Sequence, residues 1–201
     1  MERKLIGVLF TALGLMLWAG AAAATPAGTV VGVSGSCTDH GRVLNRGDAV
    51  QIGDRLDVPA GGNLRLQMAD GSVILIAPDS SVTVASYSIA GSGRDVRLSL
   101  TQGVLRAQVA SVTGPSMFKV SNAVGTASVA SPSADWFIKA QPDSAQVGVL
   151  AGTIDLTSTV TRESVSIPAH WGTSLEAGFD PVLPRVWAQR EFNAIIRLTR
   201  A

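Results

Sequence analysis

The stretch LRLQMADGSVILIAPDSSVTVA, residues 64–85, contains three short apolar-rich runs separated by turn-forming residues. Asp70-Gly71 lies between the first two runs, and Pro78-Asp79-Ser80 lies between the second and the third. Because side chains two apart share one face of a strand, the pattern predicts consecutive strands joined by tight turns. The segments LTQGVLRAQV (100–109) and VLAGTIDLTS (149–158) repeat the order of apolar run, glycine and apolar run. The sequence therefore predicts a β domain made of small repeated steps.

The same pattern continues through residues 29–167 and predicts an all-β fold class, in which repeated short strands form a wound sandwich or a short β-solenoid. The predicted turn-forming glycines are Gly53, Gly71, Gly103 and Gly152, because glycine adopts positive φ without strain. The predicted strands cover residues 29–33, 51–58, 64–68, 73–76, 82–86, 96–100, 105–109, 118–120, 136–140, 146–150, 154–157 and 165–167.

The C-terminal residues 181–201 are predicted to be an amphipathic helix that follows the β domain. Pro181 and Pro184 end the strand pattern, and residues 185–199 follow a helical period. Such a helix either packs as a lid on an open face or edge of the β domain or binds a partner. In the second case the predicted partner-binding residues are those of the apolar half, namely Trp187, Phe192, Ile195 and Ile196.

The N-terminal residues 1–24 are predicted to be a signal peptide. Arg3 and Lys4 precede an uncharged run, residues 5–18, and the small-residue tract 19–24 follows. Cleavage after Ala24 would leave residues 25–180 as an exported β domain, periplasmic or secreted, with no membrane span. The alternative is an uncleaved anchor, since residues 5–24 are just long enough to cross a bilayer.

Composition narrows the classes of partner. The chain carries 16 Lys and Arg against 15 Asp and Glu, so it is close to neutral and offers no basic surface for nucleic acid or anionic lipid. Cys37 is the single cysteine, which excludes an intrachain disulfide. We predict that it is a small buried apolar residue rather than a reactive thiol.

Residues that could carry catalysis are few. His40 and His170 are the two histidines, and Asp39 precedes the first of them. The metal-binding spacings HxH, HExxH and CxxC are absent, as are the G-x-S-x-G elbow and the glycine-rich phosphate loops. The sequence therefore predicts a non-enzymatic domain with no catalytic residue, metal or cofactor. An enzyme that uses Asp39, His40 or His170 is the remote alternative.

Trp136 and Phe137 are the one adjacent aromatic pair in the β region, in the run SADWFIKA. In an alternating strand their rings point to opposite faces, so one is predicted in the core and the other outward or covered. An outward ring could stack on a sugar. A glycan or cell-wall binding module is therefore the alternative function.

Several segments together resemble the FecR domain family, the exported β domain of bacterial iron-transport signal transducers. They are VVGVSGS, then residues 44–84, LSLTQGVLRAQV, FKVSNAVGTASV and VLAGTIDLTS, in the order of the family. IGDRL at 52–56, DGS at 70–72 and QGVL at 102–105 carry most of the resemblance. Two features depart from it. Ala130-Ser131-Pro132 stands where the family usually has Arg-Gly-Thr, and only residues 1–4 precede the apolar run, where signalling members carry a cytoplasmic anti-sigma region.

The resemblance implies a stand-alone FecR-like domain that lacks an anti-sigma region. Its implied function is to bind another envelope protein, in signalling or in envelope assembly, without enzymatic activity. The identity of that protein does not follow from the sequence.

Overall fold

The computed structural model describes residues 26–200, and they form an all-β fold with one short C-terminal helix, which confirms the predicted fold class. The predicted signal peptide, residues 1–24, lies outside the described residues. Within residues 26–200, no helix is both long enough and apolar enough to cross a membrane.

Two sheets pack face to face and share one long strand, β9 (Gly93–Val109). With strands numbered in chain order, sheet A runs in space through β4 (Ala49–Val50), β1 (Gly28–Ser34), β6 (Asn63–Met68), β7 (Val73–Ile76), the second part of β9, β12 (Ala134–Ala140), β13 (Ser144–Ala151), β16 (Trp171–Glu176) and β17 (Arg185–Val186). Sheet B runs through β3 (Arg42–Val43), β2 (Thr38–Asp39), β5 (Arg55–Val58), β8 (Ser80–Ala90), the first part of β9, β10 (Ser116–Ser121), β11 (Gly125–Val129), β14 (Thr153–Ser158) and β15 (Ser164–Pro168). Neighbouring strands are antiparallel except for β9 and β10.

The core lies between the sheets and is built by the two-residue period of the strands. In β6, Leu64, Leu66 and Met68 are buried, whereas Arg65 and Gln67 alternate with them on the outer face. The largest fully buried side chains are Trp136, Phe118, Phe137, Leu56, Leu64, Leu66, Ile74, Ile76, Leu100, Leu105, Ile138 and Ile154. All of these except Phe137 belong to one continuous apolar cluster between the sheets.

The predicted turn at Gly103 is wrong, because residues 96–100 and 105–109 belong to the single strand β9. Its first part pairs with β8 in sheet B, and its second part pairs with β7 and β12 in sheet A. Gly103 has φ 96° and lies at the corner, where the hydroxyl of Ser80 accepts a hydrogen bond of 2.9 Å from the Val104 N–H. The glycine therefore lets one strand pass between sheets without reversing direction.

Gly152 forms a matching corner between β13 in sheet A and β14 in sheet B. It has φ 84°, and the hydroxyl of Ser131 accepts a 3.0 Å hydrogen bond from the Thr153 N–H. At both corners a serine from a neighbouring loop or strand end satisfies the first backbone N–H after the bend. The repeat visible in QGVL and AGTI is thus a repeat of sheet crossings.

The C-terminal helix is shorter than predicted. The helix α1 covers Gln189–Leu198 rather than residues 185–199, because Arg185 and Val186 are extended and pair with β16 as β17. Ala188, the N-cap residue, has extended φ and ψ of −69° and 147°. The predicted strand 51–58 begins only at Arg55, as β5, because residues 51–54 form a turn, and predicted strand 82–86 is the longer β8. The strands that were not predicted are β2, β3, β4, β11, β16 and β17.

Candidate functional site

The chain after β16 returns along that strand as a segment that we call the strap, residues 177–187. The Val182 N–H donates to the Ser174 carbonyl at 2.9 Å, and the Thr173 hydroxyl donates to the Val182 carbonyl. Val186 then pairs with Trp171 at the end of the strap. These bonds close part of the edge of sheet A and aim the following residues across its outer face.

Helix α1 begins with two aromatic residues that pack together. Trp187 precedes the N-cap Ala188, and Phe192 is the fourth residue of the helix, with ring centroids 5.9 Å apart. This is the arrangement of a hydrophobic staple, which fixes the direction in which a chain enters a helix. The carboxylate of Glu191 accepts a 2.7 Å hydrogen bond from the Ala188 N–H and satisfies one free donor of the first turn.

The two aromatic residues occupy a shallow recess on the outer face of sheet A, which we call the aromatic slot. Its floor is the cross-strand pair Gly148 and Gly172, and its wall is Phe137, which pairs with Gly148. The Phe137 ring lies 5.8 Å from Trp187 and 6.3 Å from Phe192, centroid to centroid. A Cβ at Gly172 would overlap the Trp187 indole, so the indole fits only because the floor has no side chains.

Trp136 and Phe137 point to opposite faces, as their adjacency predicts, but neither is available to a sugar. Trp136 is in the core and has no exposed surface, and Phe137 is 1% exposed because the C-terminal segment covers it. The prediction that one of these rings provides a glycan-stacking surface is therefore wrong. Alternation in the strand could not show that a segment some 50 residues later would cover the outer ring.

The four residues predicted to bind a partner divide into two pairs. Trp187 and Phe192 face the slot of their own chain, and Phe192 is the buried residue of α1. Ile195 and Ile196 are half-buried. The most exposed apolar side chains of the region instead belong to the strap, where Leu183 is 80% exposed; the others are Phe179, Val182 and Val186.

Sequence reasoning missed a buried ion pair in another part of the domain, which we call the polar lock. Arg94, near the start of β9, and Asp70, in the turn between β6 and β7, are 2.7 Å apart from Nη1 to Oδ2, with side chains 0% and 1% exposed. Ser116 of β10 accepts a hydrogen bond from Arg94 Nε at 3.0 Å, and the guanidinium lies over the Phe118 ring. The lock ties three parts of the chain together.

The DGS sequence supplies the rest of the polar lock. The Ser72 hydroxyl donates to Asp70 Oδ2 at 2.8 Å and accepts from the Ala110 N–H at 3.1 Å. The Asp70 N–H donates to the hydroxyl oxygen of Tyr87 at 2.7 Å. Burial, and next the Asp70 charge, raise the pKa of Tyr87 well above its ordinary value. DGS was visible as a motif, but nothing in the sequence paired it with Arg94.

The four predicted turn glycines all have positive φ, with Gly53 at 93° and Gly71 at 87° in addition to the two corners. Gly71 lies in the turn that carries the polar lock. Gly53 lies in the turn before β5, where its N–H donates to the Val84 carbonyl at 2.8 Å.

The histidines lie far apart in strand order. His40, between β2 and β3, donates from Nδ1 to Asp39 at 2.8 Å, whereas His170 lies between β15 and β16. Potential ligand atoms of Asp39, His40 and Asp54 lie within 4.8 Å of one another. Both carboxylates already accept protein hydrogen bonds, Asp39 from His40 and Asp54 from the Gln51 N–H at 2.7 Å. These hydrogen bonds close two turns, and this structural role explains why the three side chains lie close together.

Cys37 is fully buried, and its thiol donates to the Ser34 carbonyl at 3.3 Å. Burial raises the pKa of this thiol, since the thiolate would lose its hydration.

Comparison with known proteins identifies a family and structures with a similar fold. The family model described as FecR protein matches residues 54–155, which is half of the chain. No curated protein matches. Two crystal structures of a proposed anti-sigma factor from Parabacteroides distasonis, at 1.65 and 2.50 Å resolution, superpose with TM-scores of 0.57 and 0.56.

Each of these structures is 14% identical to this chain and matches 71% of it, and the match spans 64% and 63% of their own lengths. This chain therefore spans less than two thirds of the proteins that it resembles in structure. At this identity the likeness concerns the fold. The matched family residues run from the turn before β5 into β14, so they include the polar lock and both sheet crossings.

Proposed function

Because this chain belongs to the FecR family, we propose that it is an exported, non-enzymatic domain that binds another envelope protein in signalling or in envelope assembly. The family match over residues 54–155 is the observation that carries the proposal. The FecR-like domain is related to signal transducers, whose work is done through protein contacts.

The C-terminal region is the element that we assign to partner binding. Leu183 and Phe179 expose 80% and 65% of their surface, and Val182 and Val186 lie with them on the strap. A contiguous exposed apolar surface on a soluble domain marks an interaction site more often than chance exposure does. Ile195 and Ile196 are half-buried on α1, which follows the strap.

Site-specific photocrosslinking tests this proposal. A photoreactive amino acid replaces Leu183 on the strap, or Ile52 in the turn before β5, which is also an exposed apolar residue. In cells of the native host we expect an adduct with an envelope protein from position 183 and none from position 52. Equal adducts at both positions, or none at either, would contradict the assignment of the strap.

Export is tested separately. Fractionation of the same cells should recover the chain outside the cytoplasm, and N-terminal sequencing should begin at Thr25. Recovery of the intact N-terminus in the membrane fraction would instead support the uncleaved anchor.

A further inference from the structure

The tail, residues 185–200, is held on the slot by a small number of side chains. Trp187 and Phe192 are its aromatic anchors, and Phe192 is the buried residue of α1. The outward residues Arg190, Asn193 and Arg197 are exposed. The ring pair and the short strand β17 are therefore the main contacts with sheet A, and Thr199 is the other buried residue near the end of the tail.

Helix formation and seating on the slot depend on the same two residues. A ten-residue helix is marginal in water without tertiary contacts. Ala188 at the N-cap has no side-chain acceptor for the free N–H groups of the first turn. The staple of Trp187 and Phe192 compensates, but those rings are packed against Phe137. When the rings leave the slot, the helix loses its support as well.

A small pocket that is open to solvent lies beside the tail. The pocket has a volume of about 90 Å³ beside Trp187 and is lined by Gly172, Thr173, Val182 and Leu183. Val182 and Leu183 of the strap line this pocket together with Gly172 and Trp187 of the slot, so the strap and the slot adjoin there.

The shape of the slot dictates what can fill it. Its floor is bare backbone at Gly148 and Gly172, and a Cβ at either position would meet an aromatic ring. A flat aromatic side chain fits this floor, and a second ring then packs on Phe137. The tail shows that one aromatic residue before a helix and another in its first turns satisfy both requirements.

We propose that the aromatic slot is an exchangeable docking site, and that the partner inserts an amphipathic helix with an aromatic pair spaced as Trp187 and Phe192, in place of the tail. This inference rests on the proposed function and names the binding element of the partner. Strap residues 177–184, which are not part of the tail, supply the first contact, and the exchange then releases the tail, which unfolds.

The test measures binding of a labelled synthetic peptide of residues 185–200 to the exported chain. Three proteins are compared: the wild type, the double variant Trp187→Ala with Phe192→Ala, and the same double variant with Gly172→Ala. The first change empties the slot, and the third protein places a methyl group on its floor. Gly172 does not have positive φ, so its strand accepts alanine.

We expect the double variant to bind the peptide at least about tenfold more tightly than the wild type, because the wild-type tail competes for the slot. The triple variant should return to wild-type affinity or weaker. A peptide with alanine at both aromatic positions should bind none of the three. Circular dichroism and melting temperature verify that all three proteins are folded.

A folded double variant that binds the peptide no better than the wild type overturns the docking site. If the triple variant binds the peptide as tightly as the double variant, the docking site does not lie on the glycine floor. The three atoms nearest to a Cβ at Gly172 all belong to the Trp187 indole, which the double variant lacks, so the added methyl group leaves the fold itself undisturbed. Failure of the photocrosslink at Leu183 concerns the proposed function alone, because the peptide measurement needs no natural partner.

Discussion

The polar lock and the aromatic slot hold this chain together by opposite means. The lock is a buried ion pair between Asp70, in the β6–β7 turn, and Arg94 of β9, which also donates to Ser116 of β10. The slot is a set of ring contacts between sheet A and a terminal segment. Removing the tail from the slot separates only the two-residue edge strand β17 from β16, whereas opening the lock exposes a buried ion pair that joins β9 to the β6–β7 turn.

The contrast separates the fixed part of the molecule from its replaceable part. A buried charge left without its partner is very costly, so an ion pair as closed as Arg94 and Asp70 opens only when the domain unfolds. Ring contacts at a terminus open locally, at the cost of the contacts themselves. The same chain therefore combines a domain that unfolds as a unit with an end that can exchange.

The largest predicted effect comes from Arg94→Met, which leaves Asp70 buried without its partner. We expect a loss of about 3–5 kcal/mol in the free energy of unfolding, measured by urea denaturation. Arg97→Met is the matched control, since Arg97 binds Asp95 at 3.0 Å on the same strand but both side chains are exposed, 54% and 40%. No measurable change is expected there. Similar losses in the two variants would show that burial does not distinguish the lock.

A second prediction concerns the sheet crossing on the same strand. Gly103→Ala places a methyl group 2.5 Å from Ser80 Cα at a positive φ, so we expect a loss of about 3 kcal/mol from overpacking and backbone strain together. Gly71→Ala has a similar φ, but its nearest neighbour is Ala110 Cβ at 3.5 Å. A loss of about 1 kcal/mol is expected there. Equal melting temperatures for the two variants would mean that the corner at Gly103 shifts to accommodate the added methyl group.

The strands were predictable because alternation reports which side of a sheet each residue faces. Residues 73–76 were predicted with their observed bounds, and residues 64–68 differ from β6 by one residue. The direction of the chain after a glycine was not predictable. A glycine between two apolar runs looks the same in a turn and at a sheet crossing, and only the strands that pair with β9 make Gly103 a corner.

The candidate site shows the same limit. Its apolar residues were visible from the helical period, but the period does not say what the apolar side faces. Gly148 and Gly172 become a floor only because β13 and β16 are paired. Arg94 gave no signal either, since its partner Asp70 is 24 residues away and a lone arginine is usually exposed. Both features depend on contacts between distant parts of the chain.

A third prediction tests whether the tail opens locally. Phe192→Ala should expose the amides of α1 to rapid hydrogen exchange while the free energy of unfolding of the sandwich changes by about 1 kcal/mol or less, because the tail can leave by itself. Phe118→Ala, in the core, should cost about 3–5 kcal/mol. A large loss of global stability in Phe192→Ala would show that the tail is part of the cooperative fold and would weaken the contrast between lock and slot.

The smallest predicted effect is a change in the titration of Tyr87, which contacts the polar lock. This effect is visible only at alkaline pH. Tyr87 is the single tyrosine of the chain, so the ultraviolet absorbance of tyrosinate observes only this residue. Its pKa is raised by burial and by the Asp70 carboxylate, so the native protein should show no ionisation between about pH 9 and 11, where an ordinary tyrosine titrates. In urea the normal titration should return.

The direction of the pH dependence of stability follows because the folded protein favours the neutral form of Tyr87. The contribution of Tyr87 to stability is complete below the ordinary tyrosine pKa and is lost as the pH rises above it, because the unfolded chain ionises first. Tyr87→Phe should therefore flatten the decline of stability at alkaline pH, measured by urea denaturation. If Tyr87 of the native protein titrates near the ordinary tyrosine pKa, water reaches the polar lock, and the lock opens as readily as the slot.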